Sequence, residues 1–416
     1  MMPGEFYDLD CNLTELKLYA ASRTMPIILS WLKNQRKRTL NTLFIVNAQD
    51  ASIDKMIEDI IEIVHKQPLE VFNLHNTRLE NQVLLQQLHD LCFSKACLKD
   101  FRIFRKKNIE LQMSQIAKNS RLESLLLSGN DVPNQQFIDS LKNLDKTTLQ
   151  TVRFNSGYCD NVNEILQKVD YIKNFEVYYC GEDQIFNPTC FQNLKSLEFF
   201  SPKFNDEMLV LLTSFLHSEN CQIERFFLSS QNFEGKDVMS VNEFLGFIPR
   251  AKQLKYIQFS LCSFNDFNIE RNEMFAELLS SSRLLEKVKF NYCKLQDAFI
   301  NRISLNLYKC SHFTQLLHLD ISYNVFEQAS TITNFFKACA INQTLRELTF
   351  VFYECPQRLY QIEAYGRYDE QNEYIDILGK TVQFMLDNNN RLNLVNVTQG
   401  KIKFLENRHP WRAIYY

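Results

Sequence analysis

Apolar residues return along this chain in one short phrase: the first, fourth and sixth positions are apolar and most of those between are polar. The clearest copy is Leu122-Glu-Ser-Leu125-Leu-Leu127-Ser-Gly-Asn130, which ends on an Asn at its ninth position. Alternation of this kind places successive apolar side chains on one face of an extended segment, so the phrase predicts a short strand with one buried face. The Asn amide is suited to satisfy backbone groups left open where such a strand stops. A single copy cannot bury its apolar face alone, so repetition decides whether the phrase has meaning.

It repeats throughout. Fourteen copies begin at Leu13, Leu40, Leu69, Leu98, Leu122, Leu149, Ile172, Leu194, Ile223, Leu254, Leu285, Leu316, Leu345 and Leu392. Most neighbouring anchors are 27–31 residues apart, which leaves room for an α-helix on each return path. Apolar residues at helical spacing predict helices over 53–65, 208–217, 275–279, 298–307 and 332–340. The pattern departs from regularity twice. Between Leu149 and Leu194 the spacing shrinks to 23 and 22, too short for a full helix in each repeat, which predicts altered curvature or a looser helical face. Between Leu345 and Leu392 it stretches to 47, which predicts an inserted loop over 354–369 followed by a helical run from about 370 to 387. Such an insertion is more often functional than accidental, and its tyrosines Tyr360, Tyr365 and Tyr368 are candidate docking residues.

The ninth position holds Asn130 and Asn324 in two copies and Cys180, Cys262 and Cys293 in three others. Two residues later an apolar plug recurs as Phe204, Phe233, Phe264, Leu295 and Phe326. This N/C-x-L/F step, with the long period, resembles the ribonuclease-inhibitor-like subfamily of leucine-rich-repeat proteins over about residues 12–400. The resemblance implies an α/β fold: a solenoid, or horseshoe, of about fourteen repeats with a concave parallel β-sheet and convex helices. One array is then expected over 1–400, with 401–416 as a basic and aromatic tail. Terminal repeats need polar caps. Residues 1–11 suit one end; the tail, with Arg408, Trp411 and Arg412, either folds back as the other cap or reaches out as a docking peptide. The ninth-position cysteines, with Cys310 and Cys339 one period apart, read as small buried core groups.

Composition narrows the function. At 45% hydrophobic, 23% charged and a net charge of −3, the chain can build a core but offers no global argument for nucleic acid or an anionic membrane. No apolar run approaches the ~18 residues of a membrane span. The first residues lack the basic and apolar blocks of a secretory signal, so a cytoplasmic, intracellular location is expected. The twelve cysteines include no C-x-x-C pair. The nearest glycines, Gly235 and Gly246, are too far apart for a phosphate-cradling loop. The seven histidines give no i, i+4 pair, and no G-x-S-x-G elbow occurs. The expectation is therefore no enzyme, no cofactor, no metal and no small-molecule substrate. Two basic runs, Lys33, Arg36, Lys37 and Arg38, then Arg102, Arg105, Lys106 and Lys107, form either a stripe for an acidic partner or an ordinary solvated face.

The outward strand positions carry the recognition candidates. Phe104, Tyr178, Tyr179, Phe200, Phe227, Tyr256, Tyr292, Tyr323 and Phe352 recur there from repeat to repeat. Aromatic rings bury large rigid area with few rotamers to freeze, so they favour a protein-binding patch over plain sheet surface. The function expected is a non-catalytic scaffold or adaptor, a structural subunit of a larger intracellular assembly that binds through the concave face. The alternative is a regulator of an enzyme or small GTPase using the same face. A ubiquitin-ligation adaptor ranks last, because only about twelve residues precede the first repeat.

Overall fold

The computed structural model of the chain describes residues 13–20, 25–34, 39–47, 56–75, 81–95, 97–103, 123–128, 149–155, 163, 166–178, 187–264, 267–309, 313, 315–324, 328–352, 380–389, 392, 394–399 and 402–407. The chain divides into two compact units, Met1–Leu194 and Lys195–Tyr416.

In the first unit the strands are β1 (Glu15–Ala20), β2 (Thr42–Asn47), β3 (Val71–His75), β4 (Asp100–Ile103), β5 (Ser124–Ser128), β6 (Thr151–Asn155) and β7 (Asn174–Tyr178). They pair in parallel in chain order, and the fourth position of every phrase lies in one register: Leu16, Leu43, Phe72, Phe101, Leu125, Val152 and Phe175. Helices α1 (Met25–Lys33), α2 (Ile57–Lys66) and α3 (Gln82–Ser94) return the chain between the first four strands. Among the described residues after β7, the short return path holds a 3-10 turn, Pro188–Phe191.

The second unit repeats the plan. Strands β8 (Ser196–Phe200), β9 (Arg225–Ser229), β10 (Tyr256–Ser260), β11 (Lys287–Asn291), β12 (His318–Asp320), β13 (Glu347–Phe352) and β14 (Leu394–Gln399) are parallel. The last strand, β15 (Ile402–Asn407), pairs antiparallel with β14. The intervening helices are α4 (Asp206–Leu216), α5 (Val238–Leu245), α6 (Phe247–Arg250), α7 (Ile269–Ser281), α8 (Asp297–Tyr308) and α9 (Ala329–Ile341), and residues 380–388 are also helical. A parallel strand followed by a helix, stacked in unbroken register, is an α/β leucine-rich-repeat solenoid.

The physical reason lies in the phrase itself. Each of β1–β14 starts two residues after an anchor, and every anchor from Leu40 onward whose burial is described is at most 2% exposed. The anchor therefore plugs the bend before the strand, while the fourth and sixth positions point inward from it. Burying a side chain of this size contributes about 1.5–3 kcal/mol. In the second unit the inward residues build an aromatic column. Phe259 and Phe290 stack at 5.3 Å, and Phe275 of α7 meets both edge-on, at 6.0 and 5.3 Å, a geometry favoured by the ring quadrupole.

Three features differ from the sequence expectation. Helices α4 and α7 begin at Asp206 and Ile269, before the predicted 208 and 275. Their first turns carry few apolar residues to betray them. They are started instead by Asn205 and Asn268, whose side chains accept from the N–H of Met208 (2.8 Å) and Arg271 (2.9 Å). Second, the ninth position of the repeat at Ile223 is Gln231, which is 2% exposed and accepts from the Phe204 N–H at 3.0 Å. It does the work of an Asn through a longer arm. Third, near the end of the 47-residue interval Asn389 donates to the carbonyls of Cys339 and Asn342, both at 2.7 Å. This ties the returning chain to the end of α9. The insertion at 354–369, residues 1–11, Cys180, Cys310, Asn130 and Phe326 lie outside the described residues.

Candidate protein-binding face

Five repeats of the second unit, those of β8 to β12, end their strands in the same strained way. Ser201, Ser230, Leu261, Tyr292 and Tyr323 have φ between 51° and 61°, a left-handed conformation that costs a side-chain-bearing residue about 1–3 kcal/mol. Each is held there by one backbone bond to the following repeat: Ser201 N to Ser229 O (2.8 Å), Ser230 N to Ser260 O (2.8 Å), Leu261 N to Asn291 O (2.7 Å), Tyr292 N to Ser322 O (3.2 Å) and Tyr323 N to Val351 O (2.6 Å).

Behind this bend the ninth-position residues lock neighbouring repeats. The Asn324 amide donates to Phe290 O (2.8 Å) and Ile321 O (3.0 Å) and accepts from the N–H of Cys293 (3.0 Å) and Leu295 (3.3 Å). The Cys293 thiol donates to Phe259 O and Asn291 O, and the Cys262 thiol to Leu228 O and Ser260 O. A thiol thus replaces the donating half of the Asn amide. Burial pushes the Cys262 thiol up to about 12 and raises that of Cys293 as well, so both stay protonated donors.

The bend projects its side chains outward. Leu261 is 57% and Tyr292 39% exposed, and the Tyr292 and Tyr323 rings stack at 4.1 Å with planes 4° apart. These two tyrosines sit on the rim after the strands, not on the sheet.

On the sheet itself, outward residues fall into three rows across the strands. The first runs Ser196, Arg225, Tyr256, Lys287, His318 and Glu347; the second runs Glu198, Phe227, Gln258, Lys289, Asp320 and Thr349; the third runs Phe200, Ser229, Ser260 and Asn291. The predicted aromatics are spread over different rows, because the phrase has several outward positions and the rings use different ones. Phe200 and Phe227 still meet across adjacent strands at 4.6 Å. The Tyr256 ring lies between two cations, with the Arg225 guanidinium 4.9 Å and the Lys287 amine 5.4 Å from its centroid. Its hydroxyl hydrogen-bonds Gln258, and burial pushes the phenol up to about 12. Phe352 closes β13 opposite Gln399.

Tyr178 belongs to the first unit, at the end of β7, where its hydroxyl donates to Glu176 Oε2 at 3.0 Å. The side chain of Phe352, and Phe104, Tyr179, Tyr360, Tyr365, Tyr368, Arg408, Trp411 and Arg412, lie outside the described residues, as do Arg36, Lys37, Arg38, Arg105, Lys106 and Lys107. Lys33 is described and pairs with Asp59 (2.8 Å) and Glu62 (3.0 Å), which gives it neighbours within its own unit.

Sequence reasoning missed the cations on this face. Lys287 and Lys289 sit between inward Val288 and Phe290 in a plain alternation, and only the register brings Lys287 beside Tyr256. Among the described residues no group of three His, Cys, Asp or Glu side chains is placed to hold a metal ion. No described helix is long and apolar enough to cross a membrane.

No protein-family model matches the chain, and no curated protein does. Among solved structures it is similar to an internalin (inlF) from Listeria monocytogenes, at 12% identity and a TM-score of 0.33, over 85% of each chain. It is also similar to TLR13 in a complex with ssRNA13, at 13% identity and a TM-score of 0.37, over 76% of this chain and 51% of that one. The chain thus spans about half the length of that TLR13 chain. Likenesses this distant carry no function. The fold assignment stands on register and burial.

Proposed function

We propose that this chain is a non-catalytic protein-binding scaffold or adaptor, a structural subunit of a larger intracellular assembly. It engages its partner through the outward sheet face and rim of the Lys195–Tyr416 unit. The stacked Tyr292–Tyr323 pair carries this reading: two rings, one exposed and one half-buried, set on a backbone conformation that disfavours any side chain. Strain of this kind collects at functional positions. A preformed aromatic edge gains affinity because little side-chain freedom is left to freeze on binding.

The Asn324, Cys293 and Cys262 bonds and the buried plugs Phe204, Phe233, Phe264 and Leu295 support placing the chain in the ribonuclease-inhibitor-like subfamily. Thiols used as buried hydrogen-bond donors suit a reducing, cytoplasmic setting. In this reading β15 is the C-terminal cap, because its antiparallel pairing ends the run of parallel strands.

The test is native size fractionation of the tagged chain with mass spectrometry of companions, beside Tyr292→Ala/Tyr323→Ala and a helix-side control, Met239→Ala. The wild type and control should migrate in a large complex that the tyrosine variant leaves. A wild type that runs alone sinks the assembly reading and leaves a transient regulator as the better account.

A further inference from the structure

The outward positions of β9–β11 are Arg225, Phe227 and Ser229, then Tyr256, Gln258 and Ser260, then Lys287, Lys289 and Asn291. Three are basic and none is acidic, whereas the flanking strands present Glu198 and Asp320. The cations are poorly compensated. Arg225 reaches Glu198 at 3.7 Å with its side chain 57% exposed, the kind of pair that contributes little. Lys289 lies across from Asp320 in register, and Lys287 across from His318. Among the described residues neither lysine forms an ion pair, and the Lys287 amine lies 5.4 Å from the centroid of the Tyr256 ring.

We infer that this basic island receives an acidic stretch of a partner protein, whose carboxylates settle on Arg225, Lys287 and Lys289 around the Tyr256 ring. This rests on the outward face being the binding surface and specifies what it binds.

The spacing suits carboxylates on a peptide. Lys287 and Lys289 are two residues apart on one face, roughly 7 Å, and Arg225 and Lys287 are two strand spacings apart, about 10 Å. Side chains two or three residues apart on an extended segment cover the same distances. Gln258, Ser229, Ser260 and Asn291 supply a polar, uncharged floor that can hydrogen-bond the segment's backbone. Burial, then nearby Lys289 and Arg225, hold Lys287 below the ordinary lysine range even though Glu347 and Asp320 pull it up, and an incoming carboxylate adds to that pull. A nucleic acid strand fits less well. It needs a basic track along its backbone, and here Glu198 and Asp320 interrupt such a track on both sides.

The experiment uses fluorescence anisotropy with the full chain at low salt. The probe is a labelled twelve-residue peptide rich in Asp and Glu with two Leu. One control replaces every acid by its amide; the other is single-stranded oligo-dT. The acidic peptide should bind at least about tenfold more tightly than its amide twin, and Lys287→Gln/Lys289→Gln should remove about tenfold of that affinity. Equal binding of the two peptides, no binding of the acidic one, an unmoved variant, or tighter binding of oligo-dT would each overturn the inference. Fractionation separates this failure from that of the parent reading. If Tyr292→Ala/Tyr323→Ala sheds its companions while Lys287→Gln/Lys289→Gln keeps them, the acidic segment is wrong and the outward face stands. If both variants keep them, both readings fall.

Discussion

The outward sheet faces of the two units share one repeat plan and treat charge in opposite ways. In the first unit Arg153 is sequestered, with a side chain 9% exposed, 2.7 Å from Glu176 and 3.5 Å from Asp100. Tyr178 adds its hydroxyl to Glu176, and Asn174 donates to Thr151 Oγ1 at 3.0 Å, so these groups satisfy one another. Among the described residues of the second unit, Lys287 and Lys289 have no carboxylate within ion-pair range, and Tyr292 is 39% exposed. Inward positions must be apolar for the repeat to stack, but outward positions are free of that demand. Among the described residues, the first face pairs Arg153 internally, and the second leaves Lys287 and Lys289 outside ion-pair range.

The sharpest way to break this contrast is to remove one cation from each face. Arg153→Met should cost about 2–3 kcal/mol, because it leaves the part-buried carboxylates of Glu176 and Asp100 unpaired, whereas Arg225→Met should stay within about 1 kcal/mol. Urea unfolding of both variants measures the difference, and equal small losses would erase the distinction between the faces. Comparable in size is the turn that carries the exposed rim. Asn324→Ala unpairs the N–H groups of Cys293 and Leu295 and the carbonyl of Phe290, for about 3 kcal/mol, while Cys293→Ala should cost about 1 kcal/mol. The same melts would show whether the amide does more than the thiol.

Smaller still is the stability effect of the rim. Tyr292→Ala/Tyr323→Ala should shift unfolding by about 1 kcal/mol or less, since only the stacking of a part-exposed pair is lost and Ala carries the same left-handed strain. A large loss there would make the pair structural and not a recognition element. The smallest effect is a titration. His318, 2.6 Å from Glu347, is held below its ordinary value of 6.5 chiefly by burial; Glu347 pulls it up and Lys287 and Lys289 push it down. The unfolded chain then binds the proton first, so stability is intact above about pH 6.5 and falls as the pH drops toward the lower folded value. NMR should place the His318 midpoint below 6.5 in the wild type and higher in Lys287→Gln; an unmoved midpoint would mean the lysine does not act on this face.

How much was legible beforehand depends on what each residue answers to. The anchors answer to stacking, which is why β1–β14 all start two residues past one. Helix starts answer to caps such as Asn205 and Asn268, which are polar and invisible to apolar periodicity. Gln231 departs from the expected Asn or Cys because an amide on a longer arm reaches the same Phe204 N–H. The aromatic candidates are legible one by one, but which of them share a row is set by the register.

From sequence alone came the repeat, its parallel strands and the apolar side of each, because burial forces a period that one dimension can display. Only the tertiary structure decided which outward residues meet. The stacking of Tyr292 on Tyr323 and the approach of Lys287 to Tyr256 join residues 31 apart. Those contacts depend on register and on a left-handed bend, and neither leaves a mark in the order of residues.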